Sequence, residues 1–239
     1  LKLFNWKKEA GAPLFVKAKG VFEQGKNLEL SSLQVTGDGV DVQGTVSKDL
    51  RDKEGIPHFN ASVFHVGERN HLTSFSFDGQ NLVIKGRSLD VRNLLKKSEN
   101  KEKSLLEDIA DFTADLHVDD AFLAEGQLWN FVRGTVKKKG ENWDQIDVKA
   151  QIQGSPVTMT LADNDNAKVD YPKRIQVKSS RAGTFLRSLG VYDKMRGGNM
   201  TLNGYFTEDF TKGRGSARLN DVRIVKAPLL VKLISFFSI

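Results

Sequence analysis

The sequence predicts a mainly β protein: a long, curved antiparallel sheet, open as a taco-like groove, with two or three short helices. Three observations carry that expectation. Apolar and polar residues alternate along most of the chain, and turn residues separate the alternating segments. Helical patterning is confined to a few short stretches.

In LQVTGDGVDVQGTV, Leu33 and Val35 precede a Gly37-Asp38-Gly39 turn, and Val40, Val42, Gly44 and Val46 follow it. Alternation on both sides of a turn reads as a hairpin with one apolar face. The pattern returns at Leu82, Ile84 and Gly86, then at Ala114, Leu116 and Val118. It continues through Leu128, Val132, Gly134 and Val136, and through Ile146, Val148, Ala150 and Ile152. Val157, Met159 and Leu161 follow, then Ile175 and Val177, then Met200, Leu202, Gly204 and Phe206. Ala217, Leu219, Val222 and Ile224 close the series. Roughly a dozen strands result, mostly antiparallel neighbours because their links are short.

Helices are expected at three places. Ser104-Leu105-Leu106-Glu107 has capping-box spacing, with Leu105, Leu106, Ile109 and Phe112 on one face. Residues 182–195 place Ala182, Phe185, Leu186 and Leu189 on one stripe before Gly197-Gly198. The closing APLLVKLISFF has Pro228 at an early-helix position and Leu230, Leu233, Ile234 and Phe237 on one face. That run is shorter than the ~20 residues a bilayer span needs, so it reads as a plug on the sheet or an interfacial helix. The chain lacks an initiator Met and starts on a strand-like LKLFNW, which reads as a fragment cut at both ends. The expected organisation is 1–95 and 113–226 as two parts of one β-groove. Between them, 96–112 is a charged loop with a short helix, and 227–239 is the terminal apolar helix.

A sheet with one apolar face must cover it. Strands lie about 4.8 Å apart and a helix is about 10 Å wide, so one helix covers about two strands. Two short internal helices leave most of the face bare, and a sandwich, a closed barrel or an open trough would resolve this. Inward glycines at Gly44, Gly86, Gly134 and Gly204 suit sharp curvature or a close-lying ligand. Glycines at the bends of a plain sandwich would read the same way, so periodicity leaves both architectures open.

Composition excludes more than it assigns. The chain is 39% hydrophobic, with a mean hydropathy of −0.39, which describes a soluble, folded chain. The absence of cysteine rules out disulfides and thiolate metal sites. Net charge is +6, but the basic residues are scattered, and the single run of three, Lys137-Lys138-Lys139, reads as a solvated hairpin turn. His58, His65, His71 and His117 fit no metal-ligand spacing. The loop starting at Asp163 lacks a calcium loop's sixth-position Gly and twelfth-position Glu, where Lys168 and Arg174 stand. Asp119 and Asp120, adjacent on a strand, point to opposite faces and cannot share a substrate. Trp6, Trp129 and Trp143 are too dispersed for a base-stacking platform, so nucleic acid is not an expected partner. No phosphate loop, dinucleotide fingerprint or nucleophile elbow occurs, and the chain reads as neither an enzyme nor a cofactor binder.

From Ala182 to Phe206 and on through GRGSARLNDVRIVKAPLLVKLIS, the sequence resembles the AsmA-like family of Gram-negative bacteria. It is closest there to the C-terminal region of YhdP-type members. The ordered features are Ala182-Gly183, Leu189-Gly190-Val191-Tyr192, Gly197-Gly198 and the Val225–Leu230 entry to an apolar helix. GRSLDVRNLL from Gly86 and GENWDQIDVKAQI from Gly140 extend the similarity over most of residues 80–239. The resemblance implies a bridge-like lipid carrier with no catalytic role, anchored in the inner membrane and extending through the periplasm. Its apolar groove would hold phospholipid acyl chains, lined by the alternating residues from Val35 to Ile224 named above. Contact with the membrane itself would come through parts of the protein beyond this chain. The alternative from another class is a structural or adhesion-type β-sandwich without lipid cargo.

Overall fold

Where apolar and polar residues alternate, the chain is extended, and these segments join one sheet. The computed structural model describes residues 7–51, 56–92, 111–124, 126–140, 142–165 and 170–224. The first six strands are β1 (Leu14–Glu23), β2 (Asn27–Gly37), β3 (Val40–Asp49), β4 (His58–Val66), β5 (Asn70–Phe77) and β6 (Asn81–Asp90). The next five are β7 (Phe112–Ala124), β8 (Gln127–Lys139), β9 (Asn142–Ile152), β10 (Ser155–Asp163) and β11 (Lys173–Ser179). A short helix, α1 (Ala182–Ser188), precedes β12 (Met195–Phe206) and β13 (Gly213–Ile224). The thirteen strands lie side by side in sequence order in a single open, curved sheet, which is not the two-layer sandwich.

Short turns make neighbours antiparallel. Between β9 and β10 two residues suffice, Gln153 and Gly154, both at positive φ (49° and 74°). That is the backbone of a type I′ turn, whose twist matches the strands it joins. One pair is the exception to the mostly antiparallel order: β6 and β7 run parallel, with Ile84 opposite Leu116. A parallel neighbour requires a crossover of a dozen or more residues, and residues 91–111 supply the length. The expected helix at 104–112 falls largely on residues 104–110, which lie outside the described residues. Its last member, Phe112, instead opens β7 and is buried against the edge of Trp143, with ring centroids 6.1 Å apart.

Curvature comes from close backbone approach at inward glycines. A Cβ on Gly44 would lie 2.1 Å from the Asn60 carbonyl oxygen, and one on Gly134 would lie 1.9 Å from that of Asp147. The register shifts beside Gly44 and between Asn130 and Arg133 are bulges, which bend a strand and tighten its twist.

Among the described residues α1 is the sole helix, and it is shorter than the expected 182–195. Gly190 adopts a left-handed φ of +69°, and Val191 N–H turns back to the Leu186 carbonyl at 3.0 Å. That reversal ends a helix, and Met195 already belongs to β12. Ala182, Phe185 and Leu186 are buried against β12, with further contacts to β7, β8 and β13. Phe185 stacks on Trp129 at 5.6 Å, and Trp129 Nε1 donates to Ser188 Oγ at 2.8 Å. Ser188 Oγ in turn donates to the Phe185 carbonyl. Trp129→Phe keeps the stacking but deletes one buried hydrogen bond, so urea unfolding should show a loss of about 1 kcal/mol.

Two core clusters result. One joins β3, β4, β5 and β6 with Val118 of β7, and it contains Phe64, Leu72 and Ile84. The other unites β7 to β12 with α1.

Candidate functional site

Directly opposed residues on neighbouring strands point to the same face, so register shows what that face carries across the sheet. One row joins Ala18, Leu33, Gly44, Ala61, Phe75, Ile84 and Leu116. It continues through Gly134, Val148, Met159, Val177, Leu202 and Ala217. A second row joins Gly20, Leu30, Val46, Phe59, Phe77, Leu82 and Ala114. Val136, Ile146, Leu161, Ile175, Gly204 and Gly215 complete it. Each row crosses all thirteen strands without one polar side chain. At about 4.8 Å per strand the pair forms an apolar ribbon ~58 Å long, perpendicular to the strands.

A third row runs Val16, Val35, Val42, Phe64, Leu72, Gly86, Val118 and Val132 from β1 to β8. It is interrupted at the bulge before Arg133 and resumes as Ala150, Val157, Ser179, Met200 and Leu219. Of the remaining residues expected to line a groove, Val40, Ile152 and Phe206 are buried. Val222 packs against the larger core cluster, and Ile224 closes β13. Leu128 alternates with Trp129, and it is Trp129 that enters the core. The cause is Phe131, whose positive φ of 52° shifts the alternation by one and leaves Phe131 itself exposed. The terminal stripe of Leu230, Leu233, Ile234 and Phe237 lies outside the described residues.

Exposure grades along the ribbon. Every residue of β1 is exposed, with Val16 at 59% and Phe22 at 65%. In β2 to β6 most row positions are half-buried, including Leu30, Leu33, Val46, Phe75 and Leu82. In β9 to β12 they are core: Ile146, Val148, Leu161, Ile175, Val177 and Leu202 are all buried. The open part of the inner face is therefore the N-terminal half. Its aromatic members were the hardest to read from sequence. Phe59, Phe64, Phe75 and Phe77 sit on β4 and β5, where register shifts break the period of two. Phe75 contacts both Phe59 and Phe64, at centroid distances of 5.9 and 4.7 Å.

The chain matches no protein-family model, no curated protein and no solved structure at a significant level. The chemistry of the face has to be read from its own atoms.

Polar groups gather where strands end. The Lys173 side chain is 3% exposed, and its Nζ lies 2.8 Å from Asp144, 2.7 Å from Asp163 and 3.5 Å from Glu208. Lys137 reaches Asp144 from β8 at 3.2 Å. Lys138 of the lysine run is buried, contrary to its reading as part of a solvated turn. Lys137 and Lys139 stay exposed, because alternate residues of a strand face opposite sides. At other strand ends, burial pushes the Asp90 carboxyl up, but hydrogen bonds and charge from Arg92 outweigh it and hold it below the ordinary range. Asp119 and Asp120 take separate partners, Arg133 and Asn130.

A shallow depression of about 260 Å³ lies among Thr45, Ser47, His58, Ser76 and Asp78. The Asn81 side chain, then the Asn81 and Gln80 backbone N–H groups, lower Asp78 to about 2. That carboxylate closes the β5–β6 turn and is too acidic to serve as a base at neutral pH. Among the described residues no three acidic or histidine side chains are placed to hold a metal ion. No described helix is long and apolar enough to cross a membrane. The arrangement can solvate apolar chains along its inner face.

Proposed function

We propose that this chain is a lipid-binding segment of a periplasmic, bridge-like phospholipid transport protein, holding acyl chains along its inner face. The supporting observation is the pair of apolar rows that cross every strand from β1 to β13. A face of this kind takes any acyl chain at about 0.8 kcal/mol per buried CH₂ and selects weakly among them. The burial gradient favours β1 to β6 as the stretch that takes cargo, since there the rows still meet solvent.

The test belongs in that half. Leu33→Asp and Val46→Asp place a charge on the half-buried inner rows, whereas Gln34→Asp and Ser47→Asp place it on the opposite side. Phospholipid co-purifying with the protein, quantified by mass spectrometry after extraction, should fall severalfold in the first pair and stay unchanged in the second. Equal lipid in all four variants, or none in the wild type, would overturn the reading in favour of a structural module without cargo.

A further inference from the structure

We propose that the outer face of β11, β12 and β13 docks onto an anionic phospholipid bilayer. These strands carry Arg174, Lys178, Arg196, Arg214, Arg218 and Arg223, all exposed and set between the inward positions. Asp221 is the one carboxylate in the three strands. None of the six cations forms an ion pair with a described residue.

Register arranges the cations in pairs. Arg174, Tyr205 and Arg214 form one cross-strand line, and Lys178, Thr201 and Arg218 form another. Arg196 stands directly opposite Arg223. Like charges directly opposite each other, as Arg196 and Arg223 are, repel and cost stability. Elsewhere on the sheet cations have carboxylate partners, as Lys85 has Asp115 and Arg133, although opposite Lys149, has Asp119. The repulsion on β11 to β13 is therefore uncompensated within the described residues, and an external anionic surface would relieve it.

Two features favour a bilayer over a single small anion. The cations are spread over about 30 Å of sheet, from Arg214 to Arg223 along β13, rather than gathered round a pocket, which suits a plane of headgroups. Two tyrosine rings lie among them, with Arg174 Cζ 6.0 Å from the Tyr205 ring centre and Arg214 Cζ 5.3 Å from that of Tyr171. Tyrosine, apolar with a polar tip, is enriched at membrane–water interfaces. This inference needs no cargo on the inner face, so it stands or falls apart from the lipid-binding reading.

The experiment is co-sedimentation of the full chain with vesicles of phosphatidylcholine, with and without phosphatidylglycerol. The protein should bind the mixed vesicles, ignore pure phosphatidylcholine, and release as salt shortens the screening length. Arg174→Gln/Arg214→Gln/Arg218→Gln should lower the partition coefficient about a hundredfold, from ~1 kcal/mol per basic residue at an anionic surface. Lys8→Gln/Lys17→Gln/Lys19→Gln removes the same charge from exposed positions near and on β1 and should change it little. Should the first triple variant fold poorly, Arg218→Gln alone should cost about fivefold. Equal losses in both triple variants would overturn the proposal, since net charge alone would then explain binding. Binding to polyglutamate without binding to vesicles would overturn it in favour of an acidic protein. Lipid co-purification should be the same in wild type and the arginine triple variant.

Discussion

Lys173→Met should destabilise the fold by about 3 kcal/mol in urea unfolding. The side chain is 3% exposed, and its ammonium joins Asp144 of β9, Asp163 of β10 and Glu208 of the β12–β13 connection to the start of β11. Methionine keeps much of the apolar stem but leaves three carboxylates facing one another. Breaking a buried pair from one side costs about 3–5 kcal/mol. The lower end applies here because Asp163 and Glu208 are mostly exposed and can turn to water, and Lys137 still attends Asp144. An exposed comparator, Arg51→Met, should cost far less, because its pair with Asp49 meets solvent.

The same cluster sets a pH dependence. A hydrogen bond from Lys173 holds the Asp144 carboxyl below its ordinary range, against the opposing effect of its own burial. A carboxylate lowered on folding stabilises the fold above its unfolded pKa, and that contribution is lost as pH falls through the folded value. The wild type should therefore weaken below about pH 4, and Lys173→Met should lose less over that interval. For Lys173, burial pushes the ammonium down, but its bonds to Asp144 and Asp163 outweigh that and raise it above the ordinary lysine value. Its contribution is complete below the unfolded lysine pKa and is lost only as pH rises through the folded one. Near neutrality that contribution is therefore whole, and stability there should not vary with pH through Lys173.

Gly134→Val should be at least as damaging, with a loss of about 3 kcal/mol or more or a failure to accumulate folded protein. The added Cβ would fall 1.9 Å from the Asp147 carbonyl oxygen and 2.8 Å from the Val148 Cα. Both are backbone atoms of a paired strand, so relief requires separating β8 from β9 rather than turning a side chain. Thr135→Val, one residue along on the opposite face, adds no such clash and should change stability by less than about 0.5 kcal/mol. Circular dichroism melts of the two variants provide the comparison. Similar melts would show that β8 and β9 can part at little cost.

Both effects arise at positions whose residue type was plain in the sequence and whose consequence was not. Gly134 read as an inward glycine suited to curvature, but nothing local names Asp147 as the atom it makes room for. Lys173 opens an alternating segment and resembles any strand-end lysine until three other elements bring carboxylates to it. The strands of LQVTGDGVDVQGTV and DQIDVKAQI were legible because alternation and turn residues are local signals. Phe64 and Leu72 were harder because bulges in β4 and β5 displace the period that would reveal them. Leu128 exchanged places with Trp129 for the same kind of reason, a single left-handed residue at Phe131.

By itself the sequence determined that this is a one-faced sheet chain. Period two assigns each side chain to a face, and glycine, aspartate and asparagine set where strands turn. Only the tertiary structure decided that successive faces align into unbroken apolar rows, that β6 and β7 run parallel, and that the rows are open in the first half and buried in the second. The physical reason is range. Alternation concerns residues two apart, whereas register, curvature and burial depend on partners from other strands, which the local pattern cannot name.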